Sequence, residues 1–119
     1  MNDFNFTEKF IEPSSSSAGT RGGWQIIHVK ARIDAFSQDD LIKEVHNLRA
    51  QGHRKIALDL KNNRFLSFNA IRFCSDFSRD LTADSGALVL IGCAEKTKRH
   101  FEIYGSLDHI RIIRTELEL

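Results

Sequence analysis

The sequence predicts an α/β fold: a mixed, mostly parallel sheet of four to five strands with helices packed on it. Two observations predict this class. From residue 24 onward, segments with alternating apolar residues are separated by segments with apolar residues at helical spacing, in the order βαβαβαβ. Strands separated by helices need crossover connections, which give a parallel sheet. In addition, Ala87–Ile91 is apolar throughout, which is typical of a central strand covered on both faces.

The composition is that of one ordinary globular domain. The chain has 119 residues, of which 41% are hydrophobic and 28% are charged, and its formal net charge is +1. This near balance gives no electrostatic reason to expect nucleic acid or an anionic membrane as the main partner. No apolar run approaches the roughly 20 residues of a membrane span, and residues 1–4 do not begin a signal peptide. We therefore expect a cytoplasmic protein without a membrane span.

Residues 1–23 differ from the rest of the chain. Three phenylalanines are interleaved with polar residues in residues 3–11, which form either a short strand or a loose segment that docks three rings. The residues from there to residue 23 contain the only proline and three of the seven glycines, which predicts a flexible loop. The sequence thus predicts an N-terminal segment, 1–23, followed by one domain, 24–119.

The first strand and the first helix of this domain follow directly. Apolar side chains alternate with polar ones up to Ile33, which is the period-2 signature of a half-buried strand. Ser37 followed by Asp40 resembles a capping box with Asp in place of Glu, so a helix is predicted from Gln38. Gly52 is suited to end this helix with a positive φ.

A second strand, a turn and a second helix come next. Residues 55–60 alternate again, with one apolar face, and residues 61–64 are typical of a turn. Between residues 70 and 81 apolar residues recur at helical spacing, until residues 84–86 break the helix. The face of this helix predicted to point away from the core consists of Arg72, Ser75, Asp76, Arg79 and Asp80.

The third repeat of strand and helix completes the chain. The apolar strand Ala87–Ile91 is followed by a short polar helix at about residues 96–104. Residues 110–113 form the last strand, and residues 115–119 are predicted to begin a terminal helix.

Polar side chains collect in three loops that leave the carboxyl ends of the predicted strands, at 34–38, 61–69 and 93–98. In open α/β sheets such loops gather at one edge and form the usual site. Two helix N-termini open there, and their free backbone N–H groups favour anions. The candidate residues are Asp34, Ser37, Asn62, Asn63, Ser67, Asn69, Cys93 and Lys96.

The start of the second helix allows more than one interpretation. Ser67 either caps the helix through its side-chain oxygen or serves as a phosphoacceptor or partner contact. Asn69, in the first turn, either bonds locally or faces solvent or a partner. Phe68 is either an interface anchor at the exposed helix start or packs back over the core.

No other pattern in the sequence indicates catalysis or a metal site. Cys93 follows a strand end, but no His or acid accompanies it in sequence, so we predict an unreactive thiol. The five histidines are scattered without ligand spacing and are predicted to lie on the surface. Residues 96–100 form one basic run, which is either a solvated helix face or a phosphate or RNA contact. We expect no enzyme activity, no cofactor, no metal and no nucleic-acid partner.

Taken together, residues 24–113 resemble the STAS family, the anti-sigma factor antagonists and their relatives. No single marker is specific, but their order and spacing match the family pattern. Ala31 replaces the first Gly of the family's Gly-Arg-Leu-Asp. The markers in order are residues 31–34 (Ala-Arg-Ile-Asp), 56–60 (Ile-Ala-Leu-Asp-Leu), 88–92 with the basic helix at 95–101, and 105–108 (Gly-Ser-Leu-Asp).

The functional motif of the family is altered in this chain. Family members carry Asp-Ser-Ser/Thr-Gly at the start of the second helix, and a partner kinase phosphorylates the second hydroxyl residue. The aligned residues here are 67–70 (Ser-Phe-Asn-Ala), so the acceptor position falls on Asn69, which cannot be phosphorylated. A shift of one or two residues would bring Ser67 toward that position, but the apolar register of the flanking residues opposes it.

The resemblance implies a non-catalytic protein-interaction module of bacterial signal transduction and transcription regulation. Its expected partner is an anti-sigma factor, a kinase-like ATPase or another signalling protein, bound constitutively or under control other than phosphorylation. A homodimer through an edge strand is also open. Two alternatives are a structural subunit of a stressosome-like or lipid-transport assembly, and a small-ligand or nucleotide binder. The expected partner-binding residues are Asp34, Asn63, Ser67, Phe68, Asn69 and Arg72.

Overall fold

A computed structural model of the chain describes residues 20–119, with side chains from residue 22 onward. The predicted strand or docking segment at 3–11 and most of the predicted loop lie outside the described residues. The strands are β1 (Thr20–Arg21), β2 (Trp24–His28), β3 (Arg32–Ile33), β4 (Lys55–Asp59), β5 (Phe65–Leu66), β6 (Ala87–Ile91) and β7 (Ile110–Ile113). The helices are α1 (Gln38–Ala50), α2 (Phe68–Ala83) and α3 (Glu95–Tyr104), and a 3₁₀ turn spans Glu116–Glu118.

Within residues 20–119, the main sheet has five strands in the order β1-β2-β4-β6-β7. Strands β2, β4, β6 and β7 run parallel, and β1 pairs antiparallel with β2 at the edge. This arrangement confirms the predicted mixed, mostly parallel sheet with helices. In register, His28 lies beside Asp59, and Asp59 lies beside Ile91, so the strand ends form one row.

The first strand is shorter than the alternation predicted. It ends at His28, and the chain resumes as β3, which pairs in parallel with β5 in a separate two-stranded sheet. The side chain of Asn63 fixes this break, because its Nδ2 donates to the carbonyl oxygens of Lys30 (2.7 Å) and Phe65 (3.0 Å). Strand β5 was not predicted, because two residues are too few to show an alternation.

Strand β4 is buried on both faces, not half-buried as its alternation predicted. One face joins a cluster that contains residues of all three helices, and the other joins a second cluster that contains none. The second cluster includes Trp24 and Ile26 from β2, Ala57 from β4 and Val89 from β6. Even the small or acidic residues of β4 are therefore covered, because this strand lies at the centre of the sheet.

The helix boundaries agree with the prediction, but the first cap does not. Helix α1 begins at Gln38 as expected, yet Ser37 makes no side-chain bond to the helix and no capping box forms. Instead the Ser37 Oγ accepts from the backbone N–H of Asp34 (3.0 Å), which closes the preceding loop. Gly52 adopts a φ of 94° just after α1, as predicted.

Ser75 corrects one detail of the predicted polar face of α2. It is buried, its hydroxyl donates to the carbonyl of Ile71 (3.0 Å), and it accepts from the backbone N–H of Ser106 (2.9 Å). Ser75 therefore connects α2 to the loop after α3. The predicted terminal helix is also shorter than expected, because only the 3₁₀ turn forms.

Candidate functional site

The loops at the carboxyl ends of the strands meet at the start of α2. Ser67 is the N-cap of this helix, because its Oγ accepts from the backbone N–H of Ala70 (3.1 Å). The same hydroxyl donates to Oε1 of Gln38 (2.6 Å), which connects the first residue of α1 to the start of α2. Only 8% of Ser67 is exposed. The structure confirms the capping interpretation of Ser67, and both hydrogen-bonding functions of its hydroxyl are occupied.

The first turns of α2 present an aromatic and cationic surface. Phe68 is 51% exposed and packs edge-to-face on Tyr104 of α3, with ring centroids 5.0 Å apart. Phe68 therefore packs against another half-exposed ring and not back over the core. Asn69 and Arg72 are exposed beside it, and the Arg72 guanidinium lies 6.0 Å from the Phe68 ring centroid. We call Phe68, Asn69, Arg72 and Tyr104 the Phe68 surface.

Asp34 organises the neighbouring loop. Its Oδ1 accepts from the backbone N–H groups of Phe36 (2.9 Å) and Ser37 (3.2 Å), and its Oδ2 lies 3.5 Å from Nε of Arg32. The backbone hydrogen bond from Phe36 is the main reason why the pKa of Asp34 lies below its ordinary value. Asp34 thus holds Phe36 in an exposed position, with 92% of that residue accessible. An apolar residue in a polar loop was the signal in the sequence that could have identified Phe36.

Asn63 lies inside the protein, apart from the Phe68 surface. Its amide nitrogen donates to the carbonyl of Lys30, at the break between β2 and β3, and to that of Phe65 in β5, and its Oδ1 has no hydrogen-bond partner among the described residues. The side chain is buried, so the structure separates this expected partner-binding residue from the Phe68 surface.

A cluster of charged side chains at the carboxyl ends of β2 and β4 was not predicted. His28 Nδ1 lies 2.8 Å from Oδ2 of Asp59, and Glu116 brings a third ligand atom within 4.8 Å of both. Asp59 also accepts from the backbone N–H of Lys61 (3.0 Å), and the Lys61 ammonium lies 3.7 Å from its Oδ2. Because the Lys61 ammonium also faces this carboxylate, the described side chains form an ion-pair cluster around Asp59.

The two partners of this pair shift each other's pKa values. The hydrogen bond to Asp59 raises the pKa of His28, although burial opposes it. Burial would raise the pKa of Asp59, but the bonds from His28 and the Lys61 N–H, with the Lys61 charge, outweigh it and lower that pKa. A raised His pKa stabilises the fold at pH values below about 6.5, and a lowered Asp pKa does so above about 3.9.

We therefore expect the pair to stabilise the fold most between about pH 4 and pH 6.5 and to lose this contribution as His28 deprotonates at higher pH. Urea unfolding at pH 5.5 and pH 8.0 measures it. From pH 5.5 to pH 8.0, the free energy of unfolding of the wild type should fall by about 0.5 kcal/mol more than that of His28→Gln. The expected difference is small because His28 is half exposed. His109→Gln, outside the cluster, should keep the wild-type pH dependence. Equal pH dependence in His28→Gln and the wild type would contradict this prediction.

Neither cysteine is activated. Burial raises the pKa of Cys93 to about 11 and that of Cys74 to about 12. Cys74 lies in the core as predicted. The Cys93 thiol donates a weak hydrogen bond to the carbonyl of Ala94 (3.7 Å). A thiol with such a pKa is almost entirely protonated at neutral pH, so Cys93 is a poor nucleophile.

The basic run on α3 is partly paired. Lys98 Nζ lies 2.8 Å from Oε2 of Glu95, while Lys96 and Arg99 are exposed. This agrees with the solvated helix face that the sequence left open.

Fold and site together define a small α/β domain: a mostly parallel sheet whose strand-end loops lie beside a half-exposed ring at a helix N-terminus. A family model described as the STAS domain matches residues 16–119, and the chain belongs to this family. The match begins inside the predicted N-terminal segment, so the boundary at residue 24 stays a prediction. No curated protein matches the chain. No helix within residues 20–119 is long and apolar enough to cross a membrane.

Three solved structures illustrate the likeness in fold. A putative anti-sigma factor antagonist from Thermotoga maritima has a TM-score of 0.70 at 20% identity, covering 82% of this chain and 85% of that one. The Bacillus cell-fate determinant SpoIIAA in its phosphorylated form has a TM-score of 0.65 at 16% identity, covering 83% and 89%. Unphosphorylated SpoIIAA, an anti-sigma factor antagonist, has a TM-score of 0.64 at 13% identity, covering 83% and 86%.

Proposed function

We propose that this chain is a non-catalytic protein-interaction module of the anti-sigma factor antagonist type, and that the Phe68 surface binds its partner. The observation that carries the proposal is the half-exposed Phe68 ring, held by Tyr104 at the start of α2 beside Asn69 and Arg72. Aromatic and arginine side chains are the residues that most often dominate the energy of a protein interface. The comparison with SpoIIAA, an anti-sigma factor antagonist, supports the choice of class.

The partner that we propose is an anti-sigma factor or kinase-like ATPase with acidic side chains at its contact surface. Arg72 forms no ion pair with another described residue, so its charge is available to a partner carboxylate. We propose a cytoplasmic location for this interaction, with no nucleic acid involved. The short edge strand β1 offers a place for a homodimer, but the proposed function does not require one.

Phosphorylation does not regulate the proposed surface. The family's acceptor position falls on Asn69, which has no hydroxyl group, and Ser67 uses its hydroxyl in two hydrogen bonds inside the protein. A phosphate at this helix start would add nearly two negative charges, which is how the family's switch repels an acidic partner. Partner binding is therefore constitutive or controlled in another way.

A second candidate function is a structural role in a larger STAS assembly of stressosome or lipid-transport type. Large apolar side chains outside the Phe68 surface favour it, because Phe36 and Ile103 are mostly exposed on other parts of the described chain. The two functions are distinguished by which exposed residues a partner needs.

Phe68→Ala tests the proposed function. It should weaken capture of a purified kinase-like anti-sigma factor about tenfold or more, because this ring is the largest wholly apolar side chain of the Phe68 surface. Its melting temperature should change by only a few degrees, since the ring is half exposed. Leu117→Ala, which removes another exposed apolar side chain, should leave capture unchanged. Unchanged capture by Phe68→Ala, or a loss matched by Leu117→Ala, would contradict the proposed surface.

A further inference from the structure

A cavity of about 380 Å³ opens between β5, α2 and α3. Its volume lies within the range of small-molecule sites. Two of its lining rings, Phe68 and Tyr104, also belong to the Phe68 surface. The cavity is lined by Phe65, Leu66, Phe68, Ile71, His100 and Tyr104.

The lining is mostly apolar, and an arginine guanidinium lies over each of two of its rings. The Arg72 guanidinium lies 6.0 Å from the Phe68 ring centroid, and the Arg32 guanidinium lies 4.7 Å from that of Phe65. Arg32 already faces the carboxylate of Asp34, but Arg72 has no ion-pair partner among residues 22–119. No carboxylate of the described part of the chain belongs to the cavity lining. A mostly apolar interior with Arg72 beside one of its rings complements a ligand with an apolar body and one negative charge.

We propose that this cavity binds a small amphipathic carboxylate, with its hydrocarbon body against Leu66 and Ile71 and its carboxylate at Arg72. Among the described residues, the lining offers the His100 imidazole and the Tyr104 hydroxyl as its polar side-chain groups, too few for a nucleotide base, ribose and phosphates. The ligand is a free, monomeric acid and not a lipid in a membrane, because the cavity fits one short chain. Because Phe68 and Tyr104 are shared, an occupied cavity changes affinity for the partner, a consequence that rests on the proposed function.

Decanoate, below the concentration at which it forms micelles, is the probe. Isothermal titration with the full chain should show saturable 1:1 binding, and amide shifts on titration should be largest for residues of β5, α2 and α3. Decanol, which has the same chain without the charge, should bind about tenfold more weakly, because it cannot form the charge-assisted hydrogen bond. Equal affinity for decanol, or shifts centred elsewhere, would overturn the proposal. So would binding to anionic vesicles without binding to monomeric decanoate.

Two variants locate the site. Arg72→Gln should weaken decanoate about tenfold but leave decanol unchanged, whereas Arg79→Gln, an exposed arginine on the same helix, should change neither. Ile71→Phe should fill the cavity and reduce the affinity for both decanoate and decanol. If Ile71→Phe does not fold, Arg72→Gln still tests the site. An unchanged decanoate affinity in Arg72→Gln would overturn the proposal. These titrations contain no partner protein, so a failure to bind decanoate would not contradict the proposed docking function. A failure to capture the partner would likewise not contradict the ligand site.

Discussion

Replacing Asn69 by Glu is expected to reduce capture of the kinase-like partner by about tenfold to hundredfold, the largest effect that we predict for a surface residue. The new carboxylate would lie in the first turn of α2, beside Phe68 and Arg72. There it would repel the acidic partner surface and compete for Arg72. Folding should not suffer, because a negative charge near a helix N-terminus is favourable. Titration calorimetry at low and high salt, with melting curves, measures both quantities.

Asn69→Gln is the matched control, since it changes the length of the side chain and adds no charge. It should capture the partner within about threefold of the wild type. Raising the ionic strength should recover part of the loss in Asn69→Glu, because exposed charges are screened by salt. If Asn69→Gln lost as much affinity for the partner as Asn69→Glu, the shape of the side chain and not its charge would control docking. The proposed electrostatic repulsion would then be wrong.

Gly86→Ala is expected to destabilise the fold by about 3 kcal/mol, the largest loss of stability that we predict for one added methyl group. A Cβ at this position would lie 2.4 Å from the carbonyl oxygen of Arg54 and 3.1 Å from that of Leu81. Both are backbone atoms, and both already accept hydrogen bonds, from Ala87 and from Gly86 itself. Neither can move without displacing the start of β4 or the end of α2. The melting temperature should fall by about 10 °C or more.

Ser85→Gly is the control for this turn. Ser85 adopts a φ of 63°, in the left-handed region that favours glycine, and is exposed. The substitution should leave stability unchanged or raise it by up to about 1 kcal/mol. A loss of stability in Gly86→Ala without a loss in Ser85→Gly would show that the close backbone approach at Gly86 causes the destabilisation. A general sensitivity of the turn would destabilise both variants. A melting temperature of Gly86→Ala within two degrees of the wild type would contradict the close approach.

The parts of the fold that sequence reasoning predicted are those set by local periodicity. The run Ala87–Ile91 and the helical spacing between residues 70 and 81 each fall within one element, and both are confirmed. The break after His28 could not be predicted, because it depends on the Asn63 side chain reaching the carbonyl of Lys30, 33 residues away. The alternation continues through this break, so the sequence pattern alone is consistent with one longer strand.

The residues of the candidate site were likewise predictable only where a local motif defines them. Ser67, Phe68 and Asn69 were predicted from one continuous motif, and their positions at the start of α2 follow from it. Tyr104 was missed because it meets Phe68 only when α3 packs beside α2. The pairing of His28 with Asp59 likewise requires the register of two parallel strands that are 31 residues apart. Contacts of this kind need tertiary positions, which periodicity does not supply.

The position of Trp24 gives this protein a convenient spectroscopic property. It is the only tryptophan in the chain, and it lies in the cluster on the sheet face to which no helix residue within 20–119 contributes. The Phe68 surface is built on α2 and α3, which pack on the other face. Fluorescence excited selectively at tryptophan should therefore report loss of the native state while remaining insensitive to an occupied docking site, whose Tyr104 is then not excited. One sample can then yield an unfolding curve without an extrinsic dye, in the presence of a tryptophan-free peptide or ligand.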